Sequence, residues 1–345
     1  AAFCPRAVWS LKTAGKINKE EISVNLDFKD ITLSSEELIN GYIKQWNCEN
    51  AEFSFAHMYI WGCDGKIQYS EGDGCLYIKL DFAGEDTFFW PPFPKDEKTD
   101  YRKALLDACE YMKNNGIKPV FRSVAAPFDE MMRKACPELE LVPNRKNFDY
   151  IYLSESLITL KGKKLHGKRN HINKLLREHP DFVYENLTKD HYEECLAVYD
   201  EWCMDHKEIT ITQYDERSSV ERALLNLEDL GLTGGAIRIG GVIKAFTVGE
   251  KTLPHMSQIH IEKAAKDIDG LYPLINQKYA EANCADTTYI NREEDMGLEG
   301  LRKAKQSYNP YKMTEKYDAA LKCSRELEEI KTQDLEVFEP AGCLK

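Results

Sequence analysis

Apolar residues recur at helical spacing from Ser34 to Trp46, behind a Ser34-Ser35 cap and with Glu36 and Glu37 at the positive end, which predicts an amphipathic helix. Ser23 to Phe28 alternates as a strand. Phe53 to Trp61, Lys66 to Ser70 and Cys75 to Asp81 read as short strands, the last two behind CDGK and EGDG turns, both hairpin signals. Asp86 to Trp90 reads as a further strand, closed by Pro91 and Pro92 with Trp90 and Phe93 as a packed exit. A helix from Asp100 to Gly116 follows, then a strand at Pro119 to Ser123, a short helix at Pro127 to Ala135 and a strand at Tyr150 to Leu153.

The same order restarts after Pro180. Phe182 to Asn186 is a strand, and Thr188 caps a helix whose stripe includes Tyr192, Leu196, Tyr199 and Trp202. Tyr214 to Leu230 is helical. Ala236 to Val248 is a hairpin around Gly240-Gly241, His255 to Ile261 a strand, Leu271 to Ala282 a helix, and Thr287 to Asn291 a strand. A helix from Leu298 to Gln306 is ended by Asn309-Pro310. Hairpins mixed with helix–strand units predict an α+β fold. ITLSSEELINGYIKQW (31–46) aligns with NLTKDHYEECLAVYDEW (186–202), and CEYMKNNGIKPVFRSV (109–124) with NQKYAEANCADTTYIN (276–291), which suggests a duplication. The expected division is an extension at 1–21, domains at 22–160 and 181–320, a connecting helix at 161–180, and a tail at 321–345 read as a charged helix or loose end.

Charge patterning singles out that connector. KGKKLHGKRNHINKLLR (161–177) carries seven Lys or Arg and no Asp or Glu, in a chain of formal net charge −12. On a helix, Leu165, Ile172, Leu175 and Leu176 share one face, with Lys163, Asn170, Lys174 and Arg177 opposite and His171 at the border. A solvated surface face is the bland interpretation. A groove for an anionic substrate is the sharper one, with Lys163, Lys164, Lys168, Arg169 and Lys174 as cations and Asn170 and His171 as hydrogen-bond donors.

A chain of 345 residues exceeds one comfortable core, and about 150 residues per domain predicts two. No apolar run approaches the ~20 residues that span a bilayer, and the first residues lack a secretory core, so no membrane insertion is expected. The cysteines form no CxxC pair, and Cys203 with His206 is an isolated CxxH lacking a second ligand pair; no metal site is expected. They read as buried reduced thiols in a cytoplasmic protein. The acidic total argues against coating DNA but leaves room for a local anion site.

A twice-repeated helix, strands, helix, strand order resembles the GNAT acyltransferase fold in tandem. LKGKKLHGKRNHINKLLREHPDF (160–182), YINREEDMGLEGLRKAKQSYNPYKMTEKY (289–317) and FSFAHMYIW (53–61) resemble segments of a bacterial family classed with the C-terminal domain of phosphatidylglycerol lysyltransferase. The likeness covers roughly residues 22–320. It implies two such folds around a basic helix, related to the Fem aminoacyltransferases, and transfer of an amino acid from aminoacyl-tRNA to an amine or hydroxyl. Two departures matter. The membrane-spanning half of the lysyltransferase has no counterpart here, which puts a lipid acceptor in doubt. In place of the glycine-rich pyrophosphate cradle of CoA-dependent members stands EKAAKDIDG (262–270), where only Lys263 or Lys266 could supply charge.

Acyl transfer needs a proton acceptor, donors for the oxyanion and a holder for the leaving group. Glu293 and Asp295, just past a predicted strand, are the base or amine-recognition candidates, although capping the next helix would also explain them. Asn291, Arg292, Lys303 and Lys305 are candidate carrier contacts, and Tyr308 a candidate donor to the oxyanion or leaving oxygen. His260 reads more readily as a hydrogen-bonded core histidine than as a base. The expected function is an acyl- or aminoacyltransferase using acyl-CoA or charged tRNA; the alternative is a non-catalytic module binding an anionic ligand or tRNA.

Overall fold

A computed structural model describes residues 26–205, 212–322 and 324–336. The extension at 1–21, the start of the strand at Ser23 to Phe28, and His206 of the CxxH pair lie outside the described residues.

The first unit runs β1 (Lys29–Asp30), α1 (Glu36–Ile43), α2 (Phe55–Trp61), β2 (Ile67–Gly72), β3 (Cys75–Leu80), β4 (Phe88–Phe89), β5 (Phe93–Pro94), α3 (Tyr101–Asn114), β6 (Phe121–Val124), α4 (Phe128–Ala135) and β7 (Leu139–Pro143). The second runs β8 (Asp149–Leu153), α5 (Ser154–Thr159), α6 (His166–Glu178), β9 (Val183–Asn186), α7 (Tyr192–Asp205), α8 (Thr212–Leu225), β10 (Thr233–Ile239), β11 (Val242–Leu253), β12 (Met256–Ala264), α9 (Leu271–Asn283), β13 (Tyr289–Asn291), α10 (Glu299–Gln306) and β14 (Lys312–Thr314). Then come β15 (Tyr317–Leu321) and α11 (Arg325–Glu336).

The strands form two sheets of matching order: β1-β2-β3-β4-β6-β15-β7, with β5 added on β3, and β9-β10-β11-β12-β13-β8-β14. Each contains one parallel step, β4 beside β6 and β12 beside β13. The expected boundaries do not separate these sheets. β8, placed before residue 160, lies in the second sheet, and β15, placed before residue 320, lies in the first. Each sheet thus takes its penultimate strand from across the chain. Where the two crossings meet, Lys316 Nζ lies 2.8 Å from Asp149 Oδ1, both side chains fully buried. Asp149 Oδ2 accepts from Ala51 N at 2.9 Å and from Asn291 Nδ2 at 3.2 Å. Glu52 Oε1 stands 3.7 Å from the same ammonium, so the buried Lys316 charge is met by two carboxylates.

Three further expectations change. Phe53 to Trp61 is not a strand: Ser54 Oγ accepts from His57 N at 3.1 Å and caps α2, while Phe55, Ala56, Met58 and Ile60 are buried. The basic helix starts at His166, because Leu160 (φ 48°) and Gly162 (φ 94°) turn the chain, which leaves Lys161, Lys163 and Lys164 in the lead-in. It also does not join the two sheets, since β8 before it and β9 after it belong to the same one. Leu165, Ile172 and Leu175 pack with Ile237, Ala264, Leu271 and Ile275 of the second unit. Within the tail, residues 325–336 form α11, whose Leu327 and Ile330 pack on Val120, just before β6, and on Ala320 of β15. Trp90 and Phe93 are core residues.

Candidate functional site between two diverging strands

β12 pairs with β13 only over Met256–Gln258 and Tyr289–Asn291, after which the strands separate. Two consecutive residues from the β13 side then reach back to β12. Arg292 Nη2 donates to Glu262 Oε1 at 2.9 Å, and Glu293 Oε1 lies 3.1 Å from His260 Nδ1. His260 owes its aim to a bulge: Val248 faces Ile261 and Gly249 faces Ile259, so His260 has no residue opposite. Gly249 is required there, since a Cβ would stand 2.1 Å from the Gln258 carbonyl oxygen.

Glu293 adopts φ 56°, held by its N–H donating to Asn291 Oδ1 at 2.7 Å. Gln258 Nε2 donates to Glu293 Oε1 at 2.9 Å and to the Ala51 carbonyl at 3.0 Å. From the first unit, α2 contributes His57, whose Nδ1 stands 3.8 Å from the same Glu293 oxygen and is buried without a hydrogen-bond partner. On the far side of His260, Nε2 lies 3.0 Å from Glu250 Oε1. Burial alone would depress His260, but hydrogen bonds to Glu250 and Glu293 raise its pKa to about 9. Burial likewise opposes ionisation of Glu293, yet His260 and His57 hold it well below the ordinary carboxylate range.

A cationic, aromatic wall lies beside this cluster. The Arg292 guanidinium stacks 4.6 Å from the Tyr308 ring centroid and 5.6 Å from that of Tyr152, and its Nη1 is buried without a partner. Lys168, half-buried on α6, places Nζ 4.0 Å from the same Tyr308 ring. Burial and the neighbouring Arg292 lower the Lys168 pKa, and burial raises that of Tyr308. Asn276 Nδ2 donates to Glu262 Oε2 at 2.8 Å, so one carboxylate aligns both Asn276 and Arg292.

The other expected residues separate into two groups. Asp295 is fully buried and saturated: it takes a bidentate Arg302 (2.9 Å twice), Arg145 at 3.2 Å, the Tyr150 hydroxyl at 2.7 Å and Gly297 N at 2.9 Å. It fastens the loop and has no lone pair to spare for a base. Asn291 is interior, donating to the Glu49 carbonyl at 3.0 Å. Lys305 Nζ donates to the carbonyls of Arg292, at 2.6 Å, and Glu294, so it pins the loop instead of meeting a carrier. Lys303 is exposed and pairs with Glu299 one turn away.

On α6 the expected groove is replaced by a solvent-facing surface. Lys163, Lys164, Asn170, His171 and Lys174 are exposed. His171 and Lys174 face Asp269 at 2.8 and 3.3 Å, Lys164 donates to Asn309 Oδ1 at 2.7 Å, and Asn170 contacts His166 at 3.1 Å. Arg169 caps the preceding turn through the carbonyls of Leu160 and Gly162. Lys263 pairs with Glu216 at 2.8 Å and lies over Trp202 at 3.6 Å. Sequence reasoning missed His57, Glu250 and Glu262. His57 lay in a stretch read as a strand, and its capped helix was the available signal.

A conserved protein of unknown function from Bacteroides thetaiotaomicron is similar at 36% identity and TM-score 0.79, covering 86% of this chain and 100% of its own. L-PGS from Bacillus licheniformis matches at TM-score 0.60 and 14% identity, covering 88% of this chain and 97% of its own. FemX matches at TM-score 0.54 and 9% identity, covering 85% and 96%. The latter two are likenesses of fold alone, and the fold is GNAT-like. No curated protein matches the chain. Among the described residues no helix is long and apolar enough to cross a membrane. The family model described as phosphatidylglycerol lysyltransferase, C-terminal, matches residues 44–320, and the chain belongs to that family.

Proposed function

We propose that the protein is an acyl- or aminoacyltransferase whose reacting centre is the gap between β12 and β13. The observation that carries this reading is the pairing of Arg292 with Glu262 and of Glu293 with His260 across that gap. It sets a cation with an unmet donor beside a proton-handling cluster. The family supports the reaction class, since its description names a lysyltransferase.

In this reading an acceptor amine or hydroxyl attacks the carrier's acyl carbon, forming a C–N or C–O bond. His57 Nδ1, unpartnered and beside Glu293, takes the acceptor's proton. The Arg292 guanidinium stabilises the oxyanion through its free Nη1. As the tetrahedral species collapses, the bond to the carrier breaks and Tyr308, kept protonated by burial, protonates the leaving atom. Lys168 adds positive charge on the carrier side, whereas Lys163, Lys164 and Lys174 supply a diffuse field outside the gap. The carrier is aminoacyl-tRNA in preference to acyl-CoA, because bulky and acidic residues stand where a pyrophosphate cradle would lie.

The test is transfer from charged tRNAs and acyl-CoAs to amine and hydroxyl acceptors by the full chain, repeated with Arg292→Lys and Glu293→Gln. Transfer that falls at least ~100-fold in both variants supports the reading. Full transfer by both variants excludes the site, and absence of transfer from either carrier class excludes the function.

A further inference from the structure

We infer that His57, His260 and Glu293 form a binding site for one divalent transition-metal ion. The inference concerns binding and stands whether or not the transfer reaction does; an ion takes the His57 Nδ1 lone pair, so the metal-bound and proton-accepting forms of the cluster are alternative states. One ligand atom from each of His57, His260 and Glu293 lies within 4.8 Å of the other two, and these residues are the one such group of potential ligands among the described residues. The glutamate oxygen is 3.1 Å from one imidazole nitrogen and 3.8 Å from the other. Ligands bound at about 2.0–2.2 Å around one ion stand roughly 3–3.5 Å apart, so little movement is needed.

Three independent features favour an ion over a simple hydrogen-bond cluster. His57 Nδ1 is buried with no hydrogen-bond partner, although its helix and cap hold it facing Glu293. A metal would satisfy that lone pair. Second, His260 carries an outer carboxylate, Glu250 Oε1 at 3.0 Å from Nε2, the arrangement that fixes the tautomer of a metal-bound imidazole. Third, Glu293 holds its positive φ through its own N–H bond to Asn291, which aims the carboxylate at the two rings.

Binding replaces the proton that His260 Nδ1 shares with Glu293, releases it to solvent, and leaves the Nε2–H on Glu250. Gln258 Nε2, 2.9 Å from Glu293 Oε1, competes for the same oxygen. Two imidazoles and one carboxylate select zinc, cobalt, nickel or ferrous iron over magnesium and calcium, whose preferred donors are all oxygen. The three ligands come from α2, β12 and the loop after β13, so an ion here ties the first unit to the second. Three protein ligands also leave a coordination position for water or for a substrate oxygen or amine.

The experiment uses the untagged full chain stripped with a chelator. It is titrated with zinc by calorimetry and with cobalt by visible absorption, without substrate. One equivalent bound at micromolar or tighter affinity, with the cobalt spectrum of mixed nitrogen and oxygen ligation, is the expected result. His57→Ala and His260→Ala abolish it, Glu250→Gln weakens it about 10–100-fold, and His255→Ala leaves it unchanged. Circular dichroism of each metal-free variant establishes that it is folded. His57→Gln, on the rim of the cluster, serves if His260→Ala does not fold. No binding to the wild-type chain, or unchanged binding by folded His57 variants, overturns the inference. Because no substrate enters the titration, its failure is distinct from failure of the transferase reading.

Discussion

Glu293 Oε1 lies 3.1 Å from His260 Nδ1, across a gap that opens where β12 and β13 stop pairing. Arg292, the preceding residue, crosses the same gap to Glu262. A parallel pair only three residues long therefore leaves two side chains to span a space that backbone hydrogen bonds do not fill. The proposed reacting centre lies there.

Arg292→Ala should lower kcat/KM by about 10²–10³-fold, the usual loss for a charge-stabilising donor. Tyr308→Phe keeps the ring beneath Arg292 and Lys168 but removes the hydroxyl. It should therefore reduce kcat with KM nearly unchanged. Steady-state kinetics of the two variants separate these effects; equal losses in KM alone would remove Tyr308 from the chemistry.

Lys168 and Lys174 sit on one helix in different surroundings. Lys168→Ala should raise KM for the carrier several-fold, because its ammonium lies over Tyr308 at the gap. Lys174→Ala should change KM little, as that side chain is exposed and faces Asp269. Carrier titrations at two salt concentrations check both.

Asp295→Ala should destabilise the fold by about 3–5 kcal/mol, since Arg302 and Arg145 would be left beside a buried void. Lys303→Ala should stay within about 0.5 kcal/mol, its partner being fully on the surface. Urea denaturation measures both. Asp295→Asn with intact stability and abolished turnover would instead return Asp295 to the chemistry.

Burial pushes the thiols of Cys75, Cys109 and Cys195 up to about 12. A raised pKa means that the thiolate appears only as pH approaches that value. At pH 8 these cysteines should alkylate about a thousandfold more slowly than a thiol of ordinary pKa near 8.5. Labelling with iodoacetamide followed by peptide mass spectrometry should find them blocked natively and reactive in denaturant.

Most helices and the hairpins were legible because their cues are local: Asp100 and Thr188 caps, the Gly240-Gly241 turn with positive φ at both residues, and apolar stripes. The exchange of β8 and β15 was not, since nothing within a few residues of Tyr317 signals pairing with Val124 and Pro143. Phe53 to Trp61 fits a period of two as well as a helical face, and the Ser54 cap decides between them. Glu293, Arg292 and Tyr308 could be nominated from composition after a predicted strand. Separating Glu293 from Asp295 requires knowing that Arg302, Arg145 and Tyr150 converge on the latter. The basic run was visible, but its apolar side packs wholly within the second unit, so its charge meets solvent and only Lys168 reaches the gap.

The most direct measurement is a double-mutant cycle of His57→Ala and Glu293→Gln on kcat/KM for transfer, one residue from each unit. If the two act as one proton-handling centre, the double variant should lose little more than the worse single variant. Losses that simply multiply would mean that His57 and Glu293 work independently, which contradicts a shared centre at the gap.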